Sequence, residues 1–174
     1  YDRSGTLLLN TDDGRVYSTD ETVRRSTMHL LGDRDGYISA PLLKTYASKM
    51  FGFDVVNGLY TDEPGSVAAR LTISAAVQSA AQQALSGYRG TIGVYNYKTG
   101  ELLCAVTSPS YDPDNVPDVA NDTTGSYEGV YLNRFFDAAY TPGSIFKLVT
   151  AAAALETIPD VQSRTFQCDG KTII

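Results

Sequence analysis

The turn Tyr140-Thr141-Pro142-Gly143-Ser144-Ile145-Phe146-Lys147, running into Leu148-Val149-Thr150-Ala151-Ala152-Ala153-Ala154-Leu155-Glu156, constrains this chain more than any other stretch. Thr141 is a candidate N-cap, and Pro142 suits the first helical position, where its missing N–H would be unpaired in any case. The alanine run favours helix, and a face of small residues allows close packing, so a sharp turn feeding a buried helix is expected. Ser144 and Lys147 are three apart and share one face of the first turn. Ser144 also stands at the positive end of the helix, where free backbone N–H groups point outward. A serine hydroxyl is a weak nucleophile until a base takes its proton. A lysine one turn away is such a base if burial keeps its amine neutral.

Ser-x-x-Lys alone says little, since a chain of this length should hold on the order of one by chance. The flanks carry the information. Tyr-x-Pro-Gly-Ser-x-Phe-Lys at the mouth of an Ala-rich helix resembles the active-site motif of penicillin-binding proteins, the serine D,D-transpeptidases of bacterial wall synthesis. The tetrad is the first of three motifs those enzymes share with serine β-lactamases. Leu132-Asn133-Arg134 resembles the family's Asn-Arg element before the active-site turn, and Ser108-Pro109-Ser110-Tyr111-Asp112-Pro113 its Ser-x-Pro-Ser-Tyr-Asp-Pro segment. Arg70-Leu71-Thr72-Ile73 followed by Val77-Gln78 resembles the opening helix of the transpeptidase domain. Tyr1-Asp2-Arg3-Ser4-Gly5-Thr6 is similar to the Asp-Arg-x-Gly start of the extracytoplasmic region, and Phe166-Gln167-Cys168-Asp169-Gly170 to a segment after the active-site helix. The likeness covers nearly the whole chain in order and is closest to the class B, monofunctional type.

The resemblance implies an α+β fold. Residues 1–66 would be part of an N-terminal pedestal lobe of the dimerisation type. Residues 67–174 would be the first portion of a β-lactamase/transpeptidase-like domain: helix, β-hairpin, active-site helix. It implies Ser144 as nucleophile on the carbonyl between the terminal D-alanines of a stem peptide, with Lys147 as general base. The expected partners are peptidoglycan stem peptides, β-lactam antibiotics and other wall-synthesis proteins. No metal or cofactor is implied. The place of action would be the extracytoplasmic face of the membrane, with a single-pass anchor outside this chain. Neither Ser-x-Asn nor Lys-Thr-Gly follows Ser144. The expectation is therefore a fragment that ends after the active-site helix and is inactive by itself. Two other readings share some of these features. A serine β-lactamase or β-lactam sensor has the same turn, although the Asp-Arg-x-Gly-Thr start and the leading lobe argue against it. A non-catalytic scaffold segment would dock onto wall-synthesis proteins through residues 1–66.

Composition narrows the alternatives. Twenty acidic against fourteen basic residues give a net charge of −6, which disfavours a phosphate backbone or an anionic membrane surface as partner. No apolar run approaches a membrane span. Cys104 and Cys168 form no metal motif and are too few for a disulfide framework, so both read as free and buried. The sole histidine, His29, reads as structural or surface, not as the third member of a serine triad.

Along the chain, Leu7-Leu8-Leu9 and Arg15-Val16-Tyr17 flank Asp12-Asp13-Gly14 and predict a hairpin. Polar residues follow to Arg25. Asp33-Arg34-Asp35-Gly36 reads as a solvated turn, and Pro41–Phe51 as a helix. Leu71–Leu85 predicts an amphipathic helix with Ile73, Val77, Ala80, Ala81 and Ala84 as its apolar stripe, capped by Thr72 or Ser74 and ended by Gly87. Thr91–Asn96 and Glu101–Val106 predict a second hairpin. Lys98-Thr99-Gly100 at its tip is read as turn chemistry and not as the family's third motif. Residues 107–130, rich in Pro, Asp, Asn, Thr and Gly, are expected to form a long loop, either bordering the substrate cleft or making a floppy surface excursion.

Overall fold

The computed structural model describes residues 1–11, 14–42, 44, 45, 53, 54, 59, 60, 68–165, 167 and 170. The chain divides into two compact units, Tyr1–Ala138 and Ala139–Ile174. Helices are mixed with small antiparallel sheets, as expected of an α+β protein. No helix among the described residues is long and apolar enough to cross a membrane. The predicted lobe boundary near residue 66, most of the helix predicted over 41–51, and Cys168 lie outside the described residues.

The first unit begins with the expected hairpin. Strand β1 (Leu9–Asn10) pairs antiparallel with β2 (Val16–Tyr17) in the register Leu9↔Tyr17. The polar stretch after it is a helix that sequence periodicity did not reveal, α1 (Glu21–Leu31). The Asp20 side chain caps it by accepting from the backbone N–H of Thr22 and Val23, and Glu21 complements the positive end of the dipole. Gly32 ends it at φ +84°, a conformation that suits glycine, and donates to the Met28 carbonyl. Two further two-residue strands, β3 (Phe53–Asp54) and β4 (Leu59–Tyr60), pair antiparallel.

Helix α2 (Ala75–Ala84) is shorter than the predicted Leu71–Leu85. Ser74 is its N-cap and accepts from Val77 N–H. Thr72 does not cap it and donates instead to the Leu102 carbonyl. Ile73 therefore precedes the helix, although it is buried. The buried stripe is Ala75, Gln78 and Ala81, followed by Leu85, whereas Ala80 and Ala84 face out. The rotation has a polar cause. Gln78 is fully buried, donates to the Ser26 carbonyl of α1 at 2.9 Å and accepts from Ala105 N–H at 2.7 Å. Those two bonds decide which face of α2 turns inward.

The second hairpin forms as predicted. Strand β5 (Gly90–Tyr95) pairs with β6 (Leu102–Ser108), with a register irregularity at Val94/Tyr95. Strand β6 is buried continuously from Cys104 to Ser108, because both of its faces are covered. Cys104 and Val106 cluster with Ala81 and Leu85 of α2, while Ala105 joins Leu8, Tyr17, Val23, Leu30, Leu31, Ile73 and Ala75. One core thus unites the N-terminal segment, α1, the start of α2 and the sheet. Each fully buried aliphatic side chain here, such as Leu8 or Leu30, contributes roughly 1.5–3 kcal/mol. Gly93 has no side chain for a reason: a Cβ there would collide with the Phe135 ring.

Two expectations for this unit are corrected. Asp33 is not solvated. It is 1% exposed, accepts from Ile38 N–H at 2.8 Å and Tyr37 N–H at 3.2 Å, and receives the Tyr111 hydroxyl. Residues 109–138 are irregular but fastened to α1. The Arg24 guanidinium grips the Asp112 carboxylate with both oxygens engaged, at 2.7 and 2.6 Å. The Ser110 hydroxyl donates to the Arg25 carbonyl at 2.6 Å, and Met28, Ile38, Tyr111 and Val130 form a separate apolar cluster. A long loop can dispense with regular structure when side-chain bonds and burial replace the backbone ladder.

The second unit holds a 3₁₀ turn (Gly143–Phe146), helix α3 (Lys147–Thr157) and a short 3₁₀ turn (Val161–Ser163). Contrary to expectation, Thr141 caps nothing and Pro142 precedes a 3₁₀ turn, so the α-helix proper starts only at Lys147. No residue of α3 is buried. One helix between two turns has no second layer in its own unit to bury against.

Candidate active site

Ser144 and Lys147 come together at the junction of the 3₁₀ turn and α3. The Lys147 backbone N–H donates to the Ser144 carbonyl, and in 3₁₀ geometry residues three apart eclipse one another, so the two side chains leave the backbone on the same side. Gly143 enters the turn at φ +52°, in the left-handed region. It brings the chain round immediately before the serine. Ser144 and Lys147 are both exposed, and around them Ile145, Phe146, Leu148 and Val149 are more than half exposed. The unit therefore presents a serine and a lysine on an apolar, accessible helix start.

Within the first unit, three of the family-like segments supply fasteners. The Asp2 carboxylate is 2% exposed and accepts from Ser4, Thr6 and Ala75 N–H at 2.8, 2.8 and 3.0 Å. It closes the N-terminal turn and meets the first N–H of α2. Burial pushes its pKa up, but the three backbone N–H groups outweigh that and hold it below the usual carboxylate range. Asn133 is buried and donates to the His29 carbonyl at 2.7 Å, while its own oxygen accepts from Phe135 and Phe136 N–H. Arg134 donates to the Gly129 carbonyl at 2.8 Å. Within Ser108–Pro113, Ser110 and Asp112 make the bonds to α1 described above.

His29 is structural and belongs to the first unit, whereas Ser144 belongs to the second. Its ring is buried, with Nε2 donating to the Val130 carbonyl at 2.7 Å. Burial pushes its pKa down to about 4, against the opposing pull of that carbonyl. Cys104 is free and buried, and burial pushes its thiol up to about 11, so it stays protonated and unreactive. Lys98-Thr99-Gly100 lies in the β5–β6 turn, where Lys98 N–H donates to the Asn96 side chain and Gly100 N–H to the Asn96 carbonyl. It is turn chemistry, as read from the sequence.

Residues 90–173 match the family model of the penicillin binding protein transpeptidase domain. The chain is 32% identical over 128 residues to the peptidoglycan D,D-transpeptidase PbpA of Mycobacterium tuberculosis, covering 66% of this chain and 26% of that protein. It is 30% identical over 121 residues to the PbpA of Mycolicibacterium smegmatis, covering 62% of this chain and 25% of the relative. It is 33% identical over 91 residues to the peptidoglycan D,D-transpeptidase MrdA of Acinetobacter baumannii, covering 49% and 13%. These similarities support a protein of the penicillin-binding protein transpeptidase family. It spans about a quarter or less of the length of these curated relatives.

Proposed function

We propose that the protein is a class B peptidoglycan D,D-transpeptidase in which Ser144 is the nucleophile and Lys147 its general base. The observation that carries this reading is the Ser144–Lys147 pair on one side of a turn that opens α3, inside the stretch matched by the transpeptidase family model. Ser144 Oγ attacks the carbonyl carbon between two terminal D-alanines as Lys147 Nζ takes its proton. The tetrahedral intermediate collapses with cleavage of the peptide bond, and D-alanine leaves with its nitrogen protonated. The amine of a neighbouring stem peptide then displaces Ser144 from the acyl-enzyme and restores the hydroxyl. A β-lactam would acylate the same oxygen, its ring amide taking the place of the scissile bond.

Residues 1–66 would be pedestal and 67–174 transpeptidase; the family match, residues 90–173, lies within the second segment, while the two share one core across residue 66. The peptidoglycan substrate named for the relatives supports action at the extracytoplasmic face, through an anchor outside these residues. The 174 residues by themselves would not turn over a stem peptide. That no residue of α3 is buried supports this, since the helix carrying Lys147 has no second layer to hold it within its own unit.

The test is intact mass after incubation of the full-length protein with a β-lactam, beside Ser144→Ala. A lasting mass gain on the wild type alone is expected. An adduct on both would displace Ser144 as nucleophile, and hydrolysis of the β-lactam without an adduct would move the reading to a β-lactamase. Release of D-alanine from a D-Ala-D-Ala peptide by the 174-residue chain alone would overturn the claim of inactivity.

A further inference from the structure

A cavity of about 890 Å³ opens on the first unit, between the start of α1, the end of α2 with the turn after it, and the irregular segment from Ser108 to Tyr127. Its size is within the ordinary range of ligand sites, but such sites are mostly apolar. This one is lined by no Leu, Ile, Val, Met or Phe side chain. Its wall consists of amides, hydroxyls, two guanidinium groups, two tyrosines and two glycines, with Glu21 as the one carboxylate and Pro109 as the one aliphatic ring.

The walls are braced before any ligand arrives. Arg89 donates to the Gly125 carbonyl at 2.7 Å and pairs with Glu128. The Ser108 hydroxyl donates to the Tyr88 carbonyl at 2.8 Å, and the Ser110 hydroxyl ties the floor to α1. Three groups are left to meet a ligand. The Tyr88 ring is 71% exposed at the rim. The Gln83 amide is exposed. Arg25 is also exposed: it makes a long bond to the Ser110 carbonyl at 3.5 Å, and its ion partner Glu21 stands at 3.6 Å with a side chain 62% exposed, so both contacts are loose enough to exchange for a ligand. In addition, the buried Gln82 Oε1 has no hydrogen-bond partner, so rotation of that amide toward the cavity would gain a bond at little cost.

We infer that this cavity is a saccharide-binding site that takes an oligomer of N-acetylated amino sugars. A pyranose offers an apolar C–H face, ringed by hydroxyls that both donate and accept. An exposed tyrosine ring is a platform for the first. Planar amides and guanidinium groups engage adjacent hydroxyls two at a time. With Pro109 the one aliphatic ring in the wall, a lipid or an apolar peptide side chain has too little to pack on, and two cations against one carboxylate do not make a phosphate cradle. The choice of amino sugar rests on the proposed function, because the glycan strand is what carries the stem peptides. The site would hold that strand while the peptide is processed elsewhere on the protein.

The experiment is titration of the 174-residue chain with tri-N-acetylchitotriose, followed by NMR chemical-shift changes, with cellotriose as a matched trisaccharide lacking the acetamido groups. The chain carrying Tyr88→Ala and the chain carrying Gln83→Ala are titrated alongside. Both positions are exposed, so both variants should retain the fold, as circular dichroism would verify. Saturable binding of the chitotriose is expected, with affinity about tenfold weaker on loss of the ring and weaker again than wild type without the amide. Equal binding of cellotriose would overturn the amino-sugar assignment. Shifts that ignore both substitutions, or no shifts at all, would overturn the site. Sugar binding by Ser144→Ala is expected to be unchanged, so a failed β-lactam reaction and a failed glycan site are separate results.

Discussion

Replacing Gln78 by alanine tests the reasoning about the core most directly. The side chain is fully buried and joins α1, α2 and β6 through two bonds, to Ser26 O at 2.9 Å and from Ala105 N at 2.7 Å. The Ala105 N–H is spent on this amide, so its loss orphans a buried donor at a cost of about 1–3 kcal/mol. Ser26 O lies within helix α1, so losing the second bond costs only the ordinary net value of about 0.5–1.5 kcal/mol. The space vacated adds to both. The expected destabilisation is about 2–4 kcal/mol, a large share of a domain's total stability. Gln78→Met fills most of the volume but still orphans the N–H, and should cost about 1–3 kcal/mol. Urea unfolding followed by circular dichroism, with the slope checked for constancy, measures both. If either substitution moved stability by less than about 0.5 kcal/mol, the polar bridge would not be what orients α2. If methionine matched the wild type while alanine did not, volume and not hydrogen bonding would be the cause.

Two further expectations concern charge. The folded chain keeps His29 neutral down to about pH 4, whereas an unfolded chain takes up the proton near 6.5. Between those values the unfolded state binds more protons, so stability should fall by about 3 kcal/mol as pH drops from about 6.5 toward 4. Unfolding midpoints across that range should slope steeply in the wild type and be flatter in His29→Gln, and equal slopes would refute the assignment. Asp112→Ala leaves the Arg24 guanidinium with Asp114 at 3.5 Å and the Ser18 and Thr19 carbonyls but without its two short bonds, and should destabilise by about 1–3 kcal/mol. The bond to Arg24 holds the Asp112 carboxyl below the usual range. Its contribution is therefore present above about pH 3.9 and lost as pH falls through the folded value. Faster proteolysis within residues 109–138 of the variant would show that the grip is what fastens the loop.

What could be read from the chain alone follows a physical division. The β5–β6 hairpin was legible because its turn, Asn96 to Gly100, is local chemistry with alternating strands on each side. The Ser144–Lys147 pair was legible for the same reason, since three-residue spacing at a turn needs no distant partner. Helix α1 was missed although its signals were present in Asp20, Glu21 and Gly32. Arg24, Arg25, Ser26, Thr27 and His29 hide its apolar spacing: Ser26 and Thr27 are buried with their hydroxyls donating to the Val23 carbonyl inside the helix, and His29 is buried because the distant Val130 carbonyl meets its ring. The α2 stripe was misassigned because a glutamine scores as surface until Ser26 and Ala105 stand opposite its amide. Asp33 was misread for the same reason.

The sequence by itself determined the local turns, the likeness to the family and the spacing that sets Ser144 and Lys147 at one turn, since each is a property of residues near one another along the chain. Only the tertiary structure decided which polar side chains are interior. It brought Asp2 to Ala75, Arg24 to Asp112, His29 to Val130 and Gln78 to Ala105. A polar group can leave water only where another segment replaces its hydrogen bonds, and that replacement is a long-range fact.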